Sequence, residues 1–123
     1  MKGSGEALTI ETLDNTFRDR PYEVELEALE FTSLCPLTGA PDFGQLTIRY
    51  VPAEKLLELK SLRDYLANFR ERPILQEETV NEVLDAVVAA ASPRFAEVEG
   101  VFNVRGGIET RVRAQMGENP LDD

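Results

Sequence analysis

The chain contains one cysteine, Cys35, and an aspartate, Asp42, follows it seven positions later. The intervening Pro-Leu-Thr-Gly-Ala-Pro predicts a bent loop that brings the two side chains together. A thiol is a nucleophile and a carboxyl group is a proton donor, so the pair can trap and protonate an electrophilic carbon. Two alternatives stay open at this point. A single cysteine is often an inert core thiol, and Pro-Asp is common turn chemistry.

Composition limits the classes of function. The 123 residues carry a net charge of −10, from 23 acidic and 13 basic side chains, so a nucleic-acid partner is not expected. No segment approaches the roughly 20 apolar residues that span a bilayer, so we expect no membrane partner. Histidine is absent, and one cysteine is too few for a usual zinc site, so no metal is expected.

The remaining features of the sequence indicate a cytoplasmic enzyme of one domain. One cysteine cannot form an internal disulfide, and the N-terminus lacks a signal-peptide pattern. A chain of this length can bury one core, but it is short for an enzyme that encloses two ligands. We therefore expect a free small molecule as substrate and an active site shared between subunits.

The elements that must position Cys35 and Asp42 follow from hydrophobic periodicity. Apolar residues alternate from Tyr22 to Ala28 and then slip by one at Leu29 and Phe31, which predicts a strand with a bulge before the cysteine loop. A second strand over Leu46–Tyr50 is closed by a proline. Helical spacing predicts helices within residues 53–70 and 77–91. Strands over 95–104 and 108–113 follow, joined at Arg105-Gly106-Gly107.

The predicted order is therefore ββααββ. An α+β fold with an antiparallel four-stranded sheet and both helices on one face buries the apolar stripes of the helices. Residues 1–20 are expected to be an N-terminal arm, residues 21–113 the catalytic domain, and residues 114–123 a flexible tail.

Several motifs in this order resemble the NADPH-dependent 7-cyano-7-deazaguanine reductases, the nitrile reductases of queuosine biosynthesis. The resemblance runs from about residue 30 to residue 108. The motifs are Leu-Cys-Pro-Leu-Thr-Gly at 34–39, Pro-Asp-Phe at 41–43, Glu-Leu-Lys-Ser-Leu-Arg-Asp-Tyr-Leu-Ala-Asn-Phe-Arg at 58–70, Gln-Glu at 76–77 and Gly-Val-Phe-Asn-Val-Arg-Gly-Gly-Ile at 100–108.

The resemblance implies a tunnelling fold whose small subunits join their sheets into a homo-oligomeric ring. It implies that Cys35 forms a thioimidate with the nitrile and that Asp42 protonates the nitrile nitrogen. Substrate binding is expected from Glu77, Gln76, Glu58 and Ser61. Contacts with NADPH are expected from Lys60, Arg63, Arg105 and Gly106. Closing a ring would also remove exposed sheet edges.

Ordinary roles remain open for several of these residues. An acidic residue such as Glu77 in a first helical turn is favoured by the helix dipole, although Glu78 can serve that purpose alone. A guanine-like edge presents two donors side by side, which one carboxylate accepts at once. Lys60 and Arg63 lie three positions apart and share a helix face, where basic side chains are usually just solvated.

One position departs from the pattern of the family. Gln76 stands where a histidine is usual, and glutamine can donate a hydrogen bond but cannot titrate. The second reduction would then depend on Asp42 or water. Three rival functions remain: a relative that adds ammonia to the same nitrile on tRNA, a pterin enzyme of the same fold, and a non-catalytic ring protein. The acidic charge disfavours the first, and the lack of zinc ligands disfavours the second.

Overall fold

The structure, a computed structural model, describes residues 9–122. Its elements are β1 (Thr12–Asp14), β2 (Val24–Leu34), β3 (Pro41–Val51), β4 (Lys55–Leu57), α1 (Leu59–Ala67), α2 (Gln76–Ala91), β5 (Phe95–Arg105) and β6 (Ile108–Gly117). The long elements follow the predicted order ββααββ. None of the described helices is long and apolar enough to cross a membrane.

Four strands form one antiparallel sheet in the order β2-β3-β5-β6, and both helices contribute to a single core on one of its faces. Leu46, Ile48 and Tyr50 of β3 are buried on that face, opposite Ala96 and Val98 of β5 where these register. The helices contribute Leu62, Leu66, Val80, Val83, Leu84 and Val87 to the same cluster. The predicted α+β fold class is therefore confirmed.

The opposite face of the sheet is charged. Arg49 on β3 pairs with Glu97 directly across on β5, and Arg113 on β6 also contacts Glu97. Burial of the Glu97 carboxylate is compatible with its charge because two guanidinium groups contact it. The alternation of apolar and charged residues along the strands thus assigns one face to the core and the other to ion pairs.

The predicted bulge in β2 is confirmed, and it determines which side chains reach the core near Cys35. Ala28 registers with Leu46, but the next aligned pair is Phe31 with Gly44, so β2 has one more residue than β3 in this interval. The extra residue reverses the side-chain phase of β2. Phe31 and Ser33 consequently become buried.

Two predicted boundaries differ from the structure. Part of the expected N-terminal arm folds onto this chain: β1 pairs with β4, and the amide of Asn15 donates to Ala53 O at 2.8 Å. The last strand continues past residue 113 to Gly117, because Ala114 still packs against the core. Helix α1 lies within the predicted range 53–70, and β4 occupies the residues just before it. Residues 1–8 of the arm and residue 123 of the tail lie outside the described residues.

Candidate active site

Cys35 lies at the start of a tight loop between β2 and β3. Its backbone N–H donates to Ala40 O at 2.8 Å, and Gly39 N–H donates back to Cys35 O at 2.8 Å. Gly39 has φ +75°, a left-handed conformation that glycine adopts at little cost. The hydroxyl of Thr38 accepts from Ala40 N–H at 3.2 Å. These bonds fix the thiol at the end of the sheet, where Cys35 is half-buried.

The same loop activates the thiol. A hydrogen bond from the Thr38 side chain lowers the pKa of Cys35 to about 7, helped by backbone N–H groups of Thr38 and Leu37 and by Arg105. Donors that point at sulfur favour the thiolate, which is the nucleophilic form. Near neutral pH a large share of Cys35 is therefore ready to attack.

Asp42 lies on β3, whereas the sequence predicted a loop. It is 4% exposed and registers with Ser33 across the β2–β3 pair. The Nη1 atom of Arg105 donates to Asp42 Oδ1 at 2.9 Å. Arg105 ends β5 just after a register shift, and Gly106 (φ +58°) begins the turn into β6. Arg105, which is expected to contact NADPH, therefore contacts Asp42, the predicted proton donor, in this chain.

The first turn of α2 brings the base-recognition candidates to the same place. Glu78 turns back so that its carboxylate accepts from Leu75 N–H at 3.4 Å, a long bond at the helix terminus. Within residues 9–122, the carboxylate of Glu77 and the side-chain amide of Gln76 make no hydrogen bond or ion pair. Glu77 and Glu78 both lie in the first turn, and the hydrogen bond at the helix terminus is made by Glu78.

These residues line one pocket of about 270 Å³. Its lining is Cys35, Pro36, Asp42, Leu75, Gln76, Glu77, Arg105, Ile108 and Thr110. The structure therefore brings together a nucleophile, a carboxyl group that can carry a proton, and a free carboxylate that can accept two hydrogen bonds. Such a pocket can hold a planar heterocycle by its donor edge and present an electrophilic carbon to sulfur.

The other predicted site residues lie at the start of α1, and most of them are occupied within the chain. The carboxylate of Glu58 caps the helix, accepting from Lys60 N–H at 2.9 Å and from Ser61 N–H at 2.8 Å. These two bonds lower the pKa of Glu58. The Ser61 hydroxyl donates to Glu58 O and accepts from Glu11 N–H. Lys60 pairs with Asp64 one turn later, at 3.2 Å.

Arg63 differs from these neighbours. It lines a groove of about 490 Å³ between α1 and β2. The lining also includes Arg70, the apolar residues Leu59, Leu62 and Leu66, and three glutamates of β2, Glu25, Glu27 and Glu30. Within the described residues the guanidinium of Arg63 has no acidic partner, so it can accept an anionic ligand. The first-turn N–H groups of Lys60 and Ser61 are already bound by Glu58, so side-chain cations would have to hold a phosphate here.

Two residues near the thiol received no role from sequence reasoning. Thr38 lies three positions after Cys35 in a loop that turns back on itself, and this spacing was the available signal for its contact with sulfur. Ser33 is fully buried, with no partner for its hydroxyl in the described chain. Its position depends on the bulge and the strand register, and local sequence does not fix that register.

Comparisons with known proteins identify the family of this chain. A family model described as QueF-like protein matches residues 41–120. A relative from Anaeromyxobacter sp. (strain Fw109-5), named NADPH-dependent 7-cyano-7-deazaguanine reductase, is 49% identical over 93% of this chain and 93% of its own. A relative of the same name from Chlorobaculum tepidum is 48% identical over 89% of this chain and 94% of its own.

A solved structure is also similar. The archaeosine synthase QueF-Like in the apo form matches with a TM-score of 0.75 and 28% identity, over 82% of this chain and 99% of that one. The chain belongs to the QueF-like family, as its motifs predicted. The more similar curated relatives carry the reductase name, so the reductase branch is favoured over the archaeosine branch.

Proposed function

We propose that this protein is an NADPH-dependent nitrile reductase that converts 7-cyano-7-deazaguanine to the 7-aminomethyl product in queuosine biosynthesis. The observation that carries the proposal is the meeting of Cys35, Asp42 and Glu77 in one pocket. Each has the chemistry that one part of the nitrile substrate requires. The proposal includes one catalytic domain per chain and a cytoplasmic location, where a lone thiol stays reduced.

The first step is covalent. The sulfur of Cys35 adds to the nitrile carbon as the thiolate, the C≡N bond becomes C=N, and the nitrogen takes up one proton. Asp42 is placed to carry that proton, because it lines the same pocket and its Oδ1 atom is fixed by Arg105. An ion-paired Asp42 can take the proton that sulfur loses when it ionises, or one from water, and deliver it to nitrogen.

Glu77 holds the base in this proposal. Its carboxylate lines the pocket without an internal partner, and two adjacent donors of a guanine-like edge would satisfy both of its oxygens. Gln76 lies beside it with a free amide, which can orient the substrate by a hydrogen bond but cannot exchange a proton. The protons of the later steps then come through Asp42 or water.

NADPH would supply two hydrides, one to the thioimidate carbon and one to the imine released from sulfur. With two protons these convert the nitrile to the amine. The α1 groove joins an apolar floor to the guanidinium groups of Arg63 and Arg70, which would have to outweigh the three glutamates of β2 in the lining to hold a dinucleotide. Lys60 is a weaker candidate because it pairs with Asp64. Glu58 and Ser61 are proposed as substrate ligands only through a rearrangement of the α1 start.

The proposal also includes a ring of subunits with sites between them. The Cys35 pocket and the α1 groove have no lining residue in common, so they are separate cavities of one chain. Strands β2 and β6 are the free edges of the sheet, and edges of this length favour pairing with another copy. In a ring, the α1 groove of one subunit would serve the Cys35 pocket of its neighbour.

The proposal is tested by following NADPH absorbance with and without the cyano base. We expect consumption only when the nitrile is present, at two NADPH per nitrile, with the primary amine as product. The rival reaction, addition of ammonia to the same nitrile on tRNA, is tested in a second experiment with ammonia and without NADPH. An amidine formed in the second experiment, with no NADPH consumed in the first, would identify a transferase and contradict reduction. Light scattering of the purified protein tests the ring, and a monomer mass would contradict it.

A further inference from the structure

Ser33 carries the single buried side-chain nitrogen or oxygen atom that lacks a hydrogen-bond partner in residues 9–122. The residue is 0% exposed. An unpaired buried hydroxyl is unfavourable, so its presence requires a reason. Alanine in the same place would avoid the penalty at almost the same volume. The Ser33 hydroxyl therefore lowers the free energy of unfolding, relative to alanine, in this state of the protein.

The position of Ser33 suggests that reason. It registers directly with Asp42 across the β2–β3 pair, where the Cβ atoms of facing residues lie about 4.5–5.5 Å apart. Both residues are buried, and the β2 bulge gives Ser33 the phase that places it there. Ser33 does not line the pocket, whereas Asp42 does. The hydroxyl thus lies next to the proton-carrying residue and out of reach of bulk water.

The carboxylate of Asp42 has one oxygen atom that can accept a hydrogen bond from this hydroxyl. Its Oδ1 atom accepts from Arg105. Its Oδ2 atom receives no hydrogen bond from the described chain. A carboxylate oxygen can accept on two sides, so Oδ2 can take one donor and still offer a lone pair to the pocket. A donor and an acceptor without partners therefore occupy facing positions of adjacent strands.

We propose that Ser33 is a positioning residue for Asp42, donating its hydroxyl to Oδ2 when the nitrile occupies the pocket. This role rests on the proposed function, because it concerns the carboxyl group that moves the proton during thioimidate formation. With Arg105 on one oxygen and Ser33 on the other, the carboxyl plane is fixed while the proton passes from sulfur to nitrogen. Ser33 touches neither substrate nor cofactor.

The test is Ser33→Ala, in which stability and rate are expected to move in opposite directions. Removing a partnerless hydroxyl should leave the melting temperature unchanged or higher. The maximal rate of adduct formation with the cyano base, without NADPH, should fall by about tenfold, the effect of one lost hydrogen bond to a charged group. The half-saturating nitrile concentration should not change, since Glu77 is untouched.

Thr79→Val is the matched control for stability. Thr79 is also 0% exposed, but its hydroxyl donates to Leu75 O at 3.0 Å. This variant should lower the melting temperature, because it removes a satisfied bond. If Ser33→Ala behaves in the same way, the Ser33 hydroxyl has a structural partner and the proposal is overturned.

The outcomes distinguish a failure of the Ser33 role from a failure of the proposed nitrile reduction. If wild type forms no adduct, the thioimidate reaction does not occur, and both the proposed function and the Ser33 role are overturned. Wild type that forms the adduct, with Ser33→Ala equally fast at saturating nitrile, overturns the Ser33 role alone. A lower rate with an unchanged half-saturation and an undiminished melting temperature supports it.

Discussion

The Cys35 pocket and the start of α1 both carry motif residues, but they use them differently. At α1 the polar groups bond to one another: Glu58 caps the helix, and Ser61 ties it to the N-terminal segment. In the pocket, the Glu77 carboxylate and the Gln76 amide have no partners within the described chain. The difference shows that a motif residue can maintain the fold in one region and remain available for a ligand in another.

The lowered pKa values of Glu58 and Cys35 have different consequences in the two regions. Internal hydrogen bonds lower the pKa of Glu58 and of Cys35 alike. For Glu58 the consequence is a firmly anionic helix cap, because carboxylates are already ionised at neutral pH. For Cys35 a value of about 7 changes the chemistry, because it converts a weak nucleophile into a strong one within the working pH range.

The largest expected effect comes from Asp42→Asn. An amide cannot carry the proton from sulfur to nitrogen, so adduct formation with the cyano base should slow by about 10²–10⁴-fold, the usual contribution of acid–base catalysis. Rapid-mixing mass spectrometry measures the rate. Asp19→Asn, at an exposed residue that pairs with Arg20, is the control and should keep the wild-type rate. An unchanged rate for Asp42→Asn would remove Asp42 from the reaction.

Glu77→Gln tests whether the free carboxylate of the pocket binds the base. One acceptor oxygen becomes a donor that opposes the donors of the base, at a penalty of about 1–3 kcal/mol, so nitrile affinity should weaken by roughly five- to a hundredfold. Titration of the cyano base measures this effect. The matched control is Glu78→Gln, which should keep nitrile affinity and lose only about 0.3–1 kcal/mol of stability. Unchanged nitrile affinity with lowered stability in Glu77→Gln would show that Glu77 acts only as a helix-terminal charge.

Arg63→Ala asks whether any of the α1 residues is free for a ligand. Losing one charge-assisted bond to phosphate removes roughly 1.5–3 kcal/mol, so the KM for NADPH should rise by at least about tenfold. Lys60→Ala should have a smaller effect, because Lys60 is exposed and pairs with Asp64. Equal KM values for wild type and Arg63→Ala would leave the α1 start with a structural role only.

Thr38→Val should give a smaller change that depends on pH. The variant loses the main donor to sulfur, so the midpoint for alkylation of Cys35 should rise from about 7 toward the ordinary thiol value of about 8.5. Thiolate is lost as pH falls through the pKa, so the rates should differ most between the two midpoints and converge only well above the higher one. A midpoint that stays near 7 would assign the effect to the backbone donors.

Local sequence patterns predicted much of this molecule. The alternation around Leu46 and Ile48 gave the core face of β3, and the slip at Leu29 predicted the bulge, because both depend on neighbouring residues. The motif positions also predicted that Cys35, Asp42 and Glu77 would belong to one site, and all three line the same pocket. Their individual roles remain predictions.

Long-range contacts were beyond such patterns. Strand β1 pairs with β4 across more than forty residues, and its three-residue length leaves almost no periodic signal. The pairing of Arg105 with Asp42 depends on which strands are neighbours, and the isolation of the Ser33 hydroxyl depends on strand register. None of these follows from the spacing of residues along the chain.

The most direct test of the central claim is the intact mass of the protein after mixing with 7-cyano-7-deazaguanine in the absence of NADPH. Thioimidate formation precedes hydride transfer, so wild type should gain the mass of one base, and Cys35→Ala should gain nothing. Added NADPH should then discharge the wild-type adduct and release the aminomethyl product. A wild type without added mass, or a Cys35→Ala variant with the same adduct, would contradict the account.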